Sequence, residues 1–175
     1  EIPVDSLGNF DKTIGLRSLA GDNNIQVIAV DKVGNEAKVT INYMLKVTLR
    51  LRIGNATAYL NGNALQLDVK PYLKYNQYTM VPFRVIAESI GATVGWDGTA
   101  RKVSYEFRGL KIFVWIGSKN AQLTDASGKT KNVSLQAEPE IINGRTLVPL
   151  RFISEALGAK VGWDAKLWEA SVSYP

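Results

Sequence analysis

TMVPFRVIAESIGATVGWD runs from Thr79 to Asp97, and TLVPLRFISEALGAKVGWD runs from Thr146 to Asp164. Twelve of the nineteen aligned positions are identical, and most of the others exchange one apolar side chain for another. A unit written twice speaks to architecture before it speaks to chemistry. In each copy Val-Pro holds the chain extended, and a proline at the first helical position forfeits no hydrogen bond. Phe83, Ile86, Ala87 and Ile90 then fall at i, i+3, i+4 and i+7, as do Leu150, Ile153, Ser154 and Leu157, which predicts a short helix with one apolar face. Gly91 and Gly158 stand where a left-handed C-terminal cap belongs. Val94-Gly95-Trp96-Asp97 and Val161-Gly162-Trp163-Asp164 read as strands entering turns. Val103, Tyr105 and Phe107 alternate on the next strand, as do Ala170, Val172 and Tyr174.

Outward from this unit, the first repeat extends over 46–108 and the second over 110–174. Strands are expected at Val47–Ile53, Ala58–Leu60 and Ala64–Leu67, and again near Ile112–Ile116 and Ala121–Thr124. Asn61-Gly62 and Asn143-Gly144 are two-residue hairpin signals, and Asn76-Gln77 is the weaker counterpart of the latter. The predicted fold class is α+β, with two tandem antiparallel-sheet-plus-one-helix repeats. Residues 1–45 read as an all-β segment with strands at Ile25–Val30 and Val39–Tyr43 and turns at Asp5–Asn9, Gly21–Asn24 and Asp31–Asn35. Asp31, Asn35 and Glu36 carry oxygens suited to calcium, but their spacing completes no known loop, and a side-chain-capped turn accounts for them.

Neither histidine nor cysteine occurs in the 175 residues. That excludes disulfides, thiolate and imidazole metal sites, cysteine nucleophiles and every Ser-His-Asp arrangement. No cofactor is expected. Residues 1–50 hold six basic and six acidic side chains, whereas 51–175 hold fifteen and ten, so the repeats carry the whole net charge of +5. A net charge of this size serves solubility and also favours an anionic partner, either a cell-wall polymer or an acidic polysaccharide. Basic runs never exceed two residues, which argues against nucleic acid. No segment is long and apolar enough to predict membrane insertion. The chain starts at Glu1, which is read here as the start of a portion of a longer protein.

Few residues offer themselves as a site. Arg84 and Glu88, like Arg151 and Glu155, lie four apart and fit either an exposed ion pair or a grip on a substrate carboxylate. Trp96 and Trp163 share the strand phase of Val94 and Val161, so they are expected to face the core. Asp97 and Asp164 fit turn roles better than those of a glycosidase acid pair. Trp115 and Trp168 lack an aromatic counterpart in the other repeat. With Tyr72, Tyr75 and Tyr78 they are the candidate ligand-stacking residues, and packing between the repeats is the alternative. No catalytic residue is assigned.

The string VP-x-R-x-I-x-E-x-x-GA-x-VGWD, present twice, resembles the repeat of the copper amine oxidase N-terminal-like (stalk) domain over Lys46–Tyr174. The chain departs from the usual pattern at Asn76-Gln77 and at Leu167-Trp168-Glu169. Residues Val4, Asp5, Gly8-Asn9-Phe10, Asn24-Ile25-Gln26-Val27 and Asp31-Lys32-Val33-Gly34-Asn35 resemble the closing part of a bacterial immunoglobulin-like domain. The stalk resemblance implies a non-catalytic module found on secreted and surface proteins of Gram-positive bacteria, beside hydrolases, proteases and S-layer elements. The oxidase's copper site belongs to another domain. The resulting expectation is an extracellular, envelope-associated accessory region that is not an enzyme. It would anchor or space the rest of its own polypeptide at the cell envelope; the alternative is a carbohydrate-binding module of a secreted polysaccharide hydrolase or protease.

Overall fold

Alternating apolar and polar residues build most of this chain into strands. The computed structural model describes residues 2, 3 and 21–174. Strands β1 (Gly21–Val30) and β2 (Glu36–Leu45) form a two-stranded hairpin. The Gly21–Asn24 stretch, expected as a turn, is the first part of β1, paired with Leu45 back to Asn42. The Asp31 carboxylate closes the hairpin by accepting bonds from the Val33 and Asn35 amides and from the Asn35 side chain. Those contacts, the Asn35 side chain foremost, hold its carboxyl below the usual range. The expected turn at Asp5–Asn9 and the motif residues Val4 to Phe10 lie outside the described residues.

Beyond Lys46 the first repeat supplies β3 (Val47–Arg52), β4 (Thr57–Leu60), β5 (Asn63–Gln66), β6 (Tyr72–Lys74), β7 (Tyr78–Pro82), α1 (Phe83–Ser89), β8 (Thr93–Asp97) and β9 (Lys102–Phe107). The second supplies β10 (Leu110–Trp115), β11 (Asn120–Thr124), β12 (Thr130–Ser134), β13 (Glu140–Ile142), β14 (Arg145–Pro149), α2 (Leu150–Ala156), β15 (Lys160–Asp164) and β16 (Glu169–Tyr174). Asn61-Gly62 and Asn143-Gly144 both take positive φ, as the two-residue hairpin turns require.

The strands do not pair repeat by repeat. One five-stranded sheet runs β12-β11-β10-β9-β8, the other β15-β16-β3-β4-β5, and a four-stranded sheet runs β13-β14-β7-β6. Each large sheet therefore joins the first three strands of one repeat to the last two strands of the other. The middle sheet joins a hairpin from each through β7 and β14. There Val81 pairs with Val148, and Leu147 and Pro149 pair with Pro82 and Met80. A residue paired with its own repeat equivalent lies on a local two-fold axis.

This corrects the expected α+β class with two tandem sheet-plus-helix units. Strands make up 56% of the structure and helices 9%, too little helix for a layer of its own, and the repeats interlace into one mostly-β body. The physical reason lies in the link between repeats. Arg108 and Gly109, both at positive φ, form a two-residue turn that carries β9 straight back as β10. With so short a connection, the last strand of the first repeat must pair with the first strand of the second. Two-fold symmetry then places β16 against β3, with Tyr174 opposite Val47.

Both helices stop as expected. Gly91 and Gly158 lie at φ +78° and +87°. Ala92 N–H bonds to Ala87 C=O and Gly91 N–H to Glu88 C=O, and Ala159 and Gly158 repeat the pair on Ser154 and Glu155. This is the Schellman arrangement, which satisfies the last carbonyls. Pro82 and Pro149 are cap residues closing β7 and β14 rather than first helical residues. A single main core draws Leu49, Leu51, Ile86, Tyr105, Ile112, Val114, Ile153 and Val172 from both repeats. Met80 and Leu147 face the other side of the middle sheet and form a small second core with Val69 and Ala137. Among the described residues, no helix is long and apolar enough to cross a membrane.

Candidate functional site

Trp96 and Trp163, expected in the core, are 50% and 42% exposed. Their strand phase was read correctly, since Trp96 sits opposite Val103 and Trp163 opposite Ala170, both buried. Cross-strand partners share a face. The error concerned how far the core reaches. Each helix has seven residues, about 10 Å of rise, and covers only about three residues of a strand beneath it. Val94 and Val161 pack against the core, whereas the tryptophans two residues on reach its open rim.

At each rim the indole meets the arginine of the neighbouring helix across an open cleft. The first cleft, about 440 Å³, is lined by Trp163 with Val161 and Gly162, by Leu150 and Arg151 at the start of α2, and by Gln136. Its far wall is the β6–β7 turn of the other repeat, with Asn76, Gln77, Tyr78 and Thr79. The second, about 610 Å³, is lined by Trp96, by Phe83, Arg84, Val85 and Glu88 of α1, and by Leu60, Leu65, Gln66 and Asp68. Its far wall is the β13–β14 turn, with Gly144, Arg145 and Thr146. The two clefts are related by the same two-fold that relates the repeats.

Local geometry holds the indoles in place. Gly95 faces Ser104 and Gly162 faces Ser171 across the strand pair; a Cβ on Gly162 would lie 2.7 Å from the Ser171 hydroxyl oxygen, and one on Gly95 would be closer still to that of Ser104. The strand can pass there only without a side chain. Asp97 accepts the Ala100 N–H, and Asp164 accepts those of Lys166 and Leu167, so both carboxylates serve turns. The turns that wall the clefts are tied across the repeats. Tyr75 donates its hydroxyl to Glu138, and Lys74 reaches Glu138 at 3.1 Å and Glu140 at 3.3 Å. The Tyr75 hydrogen bond, then a backbone bond and Lys74, lower the Glu138 carboxyl to about 2. On the opposite side Arg145 meets Asp68 at 2.6 Å.

Charge separates the two clefts. Among the described residues, Arg151 is the only charged one lining the first, amid uncharged amides and hydroxyls. Its i,i+4 partner Glu155 is 4.0 Å away, and both side chains are more than half exposed, so the pair is weak. The second cleft balances Arg84 and Arg145 against Asp68 and Glu88. Both arrangements can stack a flat ring face and offer hydrogen bonds around its edge. Only in the first is the arginine without an acidic side chain among the other described residues that line the cleft.

Of the residues singled out from sequence, Tyr78 lines the Trp163 cleft. Trp115, Trp168, Tyr72 and Tyr75 line neither. Trp115 is half-buried beside Lys102 on the neighbouring strand. Trp168, at φ +52°, is 55% exposed and gives its carbonyl to Ile53, the place Arg101 fills toward Ile116 in the first repeat. Tyr72 packs on the small core, and its buried hydroxyl lacks a hydrogen-bond partner among the described residues. Arg84 and Arg151, which fit an ion pair or a carboxylate grip, and Trp96 and Trp163, expected in the core, all line the clefts. Asn76, Gln77 and Gln136 were not weighed at all, because only the fold brings the β6–β7 turn to the opposite repeat. Among the described residues, no group of three or more acidic side chains is placed to hold a metal ion.

No solved structure matches the chain. A curated relative from Brevibacillus choshinensis, named "Protease inhibitor", is 32% identical over 88 residues, which cover 50% of this chain and 26% of that protein. The chain thus aligns with about a quarter of that relative's length. The family model described as "Copper amine oxidase N-terminal domain" matches residues 61–172, which run from the β4–β5 turn through both clefts into β16. With that match spanning well over half its length, the chain belongs to the copper amine oxidase N-terminal domain family.

Proposed function

We propose that this chain is a non-catalytic accessory region of an extracellular bacterial protein, attaching its parent to a polymer of the cell envelope. The observation that carries the reading is the pair of open clefts, each with an exposed arginine beside a half-exposed indole. An indole needed only for packing is usually buried more deeply than these two. The family's membership in accessory regions supports the non-catalytic part, as does a sequence without histidine or cysteine. The relative's alignment over a fraction of its length supports a module that sits within longer chains.

Co-sedimentation with purified Gram-positive cell wall tests this. Binding that weakens steeply as salt rises supports electrostatic attachment through the basic repeats. A second reading, a carbohydrate-binding module of a secreted polysaccharide hydrolase or protease, is favoured by the same indoles. It requires binding to a neutral glycan that salt leaves unchanged. Failure to bind either material sinks both readings.

A further inference from the structure

Resting on that reading, we propose that the Trp163 cleft is the ligand site and that it selects a carboxylate-bearing sugar ring. Its two-fold mate around Trp96 does not make that selection. Three features of the first cleft coincide. The exposed face of Trp163 suits the apolar face of a pyranose. Asn76, Gln77 and Gln136 each offer both donors and acceptors, the pattern that ring hydroxyls need. Arg151, the single charge in the lining, presents a fork that matches a carboxylate in two parallel hydrogen bonds. The volume, about 440 Å³, lies within the range of small-ligand sites.

A bare phosphate would use the arginine and leave the indole and amides idle, so a sugar acid fits better than an inorganic anion. In the mate cleft Asp68 already holds Arg145 and Glu88 faces Arg84, so an added carboxylate would meet as much negative as positive charge. The selectivity therefore arises where the repeats differ. Glutamine stands at position 136 where the first repeat has Asp68, and Tyr78 stands where the second has Arg145.

The test is calorimetric titration of the full chain with trigalacturonate and with its neutral methyl ester. At low salt the acid should bind about tenfold tighter than the ester, the size of one charge-assisted pair. Arg151→Gln should erase that preference while leaving ester binding in place. Trp163→Ala should abolish binding of both, with Trp163→Phe retaining part of it and an unchanged thermal melt showing that the fold is intact. Trp168→Ala, an exposed indole that lines neither cleft, should leave the preference untouched. Equal binding of acid and ester, displacement of the acid by equimolar inorganic phosphate, or equal losses from Trp96→Ala and Trp163→Ala each overturn the proposal. Wall binding that survives Trp163→Ala overturns this site and leaves the attachment reading standing. Trigalacturonate binding without wall binding does the reverse.

Discussion

The two clefts share a frame and differ in their furnishing. Proline, arginine and indole occupy matching places in both, set by matching helices and caps. The turn that crosses from the opposite repeat, and the segment it meets, do not match. One side pairs Tyr75 and Lys74 with Glu138, and the other pairs Arg145 with Asp68. Duplication fixes a backbone, and a few unmatched positions then decide the charge each cleft presents. The shared part is predicted to behave symmetrically, and the unmatched part to behave unequally.

The harshest trial of the symmetry is to divide it. In residues 47–109 alone, β3, β7 and β9 each lose one of their two neighbours, namely β16, β14 and β10. This half should show no cooperative thermal transition by circular dichroism. A sharp melt from either half would restore the tandem-unit picture. Next in size, Ile86→Ala and Ile153→Ala remove equivalent side chains that are 1% and 0% exposed in one core. Each should cost roughly 2–5 kcal/mol and shift the same single transition in denaturant. If either substitution splits the transition in two, the repeats fold as separate units.

Glu138 sharpens the unequal part. Its carboxyl ordinarily titrates at 4.5 and is held at about 2 when folded, chiefly by the Tyr75 hydroxyl. A folded value below the unfolded one adds stability that is full above about 4.5 and is lost as pH falls toward 2. Chemical denaturation across that window should therefore show a decline in stability that Glu138→Gln reduces. An unaltered pH slope in the variant would remove Glu138 as the tie on that side. The smallest effect is expected at Ser154, whose buried hydroxyl lacks a hydrogen-bond partner among the described residues and whose repeat equivalent is Ala87. Ser154→Ala should raise stability by up to about 1 kcal/mol, because it deletes an unsatisfied polar group at a site the sister repeat already fills with alanine. Lower stability in the variant would show that the hydroxyl has a partner in solution.

Much was written in local chemistry. The i, i+3, i+4 spacing of Phe83, Ile86 and Ala87 marked the first helix, and Gly91 and Gly158 marked the helix ends. Asn61-Gly62 and Asn143-Gly144 marked hairpins, and Asp31 marked its own turn. These signals act over a few residues, so a linear reading captures them. The clefts are less legible in the sequence: alternation gives Trp96 and Trp163 a face but not the edge of the layer above it, so their exposure depends on the length of the helices.

What the sequence determined on its own was therefore the list of elements, the duplication, the exclusion of imidazole and thiolate chemistry, and the sign of the charge. Only the tertiary structure decided which strand pairs with which. The two-residue Arg108-Gly109 turn forces β9 onto β10, and closing the two-fold then lends each repeat's last strands to the other. That exchange carries Asn76 and Gln77 across to Trp163 and Arg145 across to Trp96. Hydrogen bonding between backbones is indifferent to sequence distance, so residues roughly fifty to ninety positions apart share a cleft that no local pattern announces.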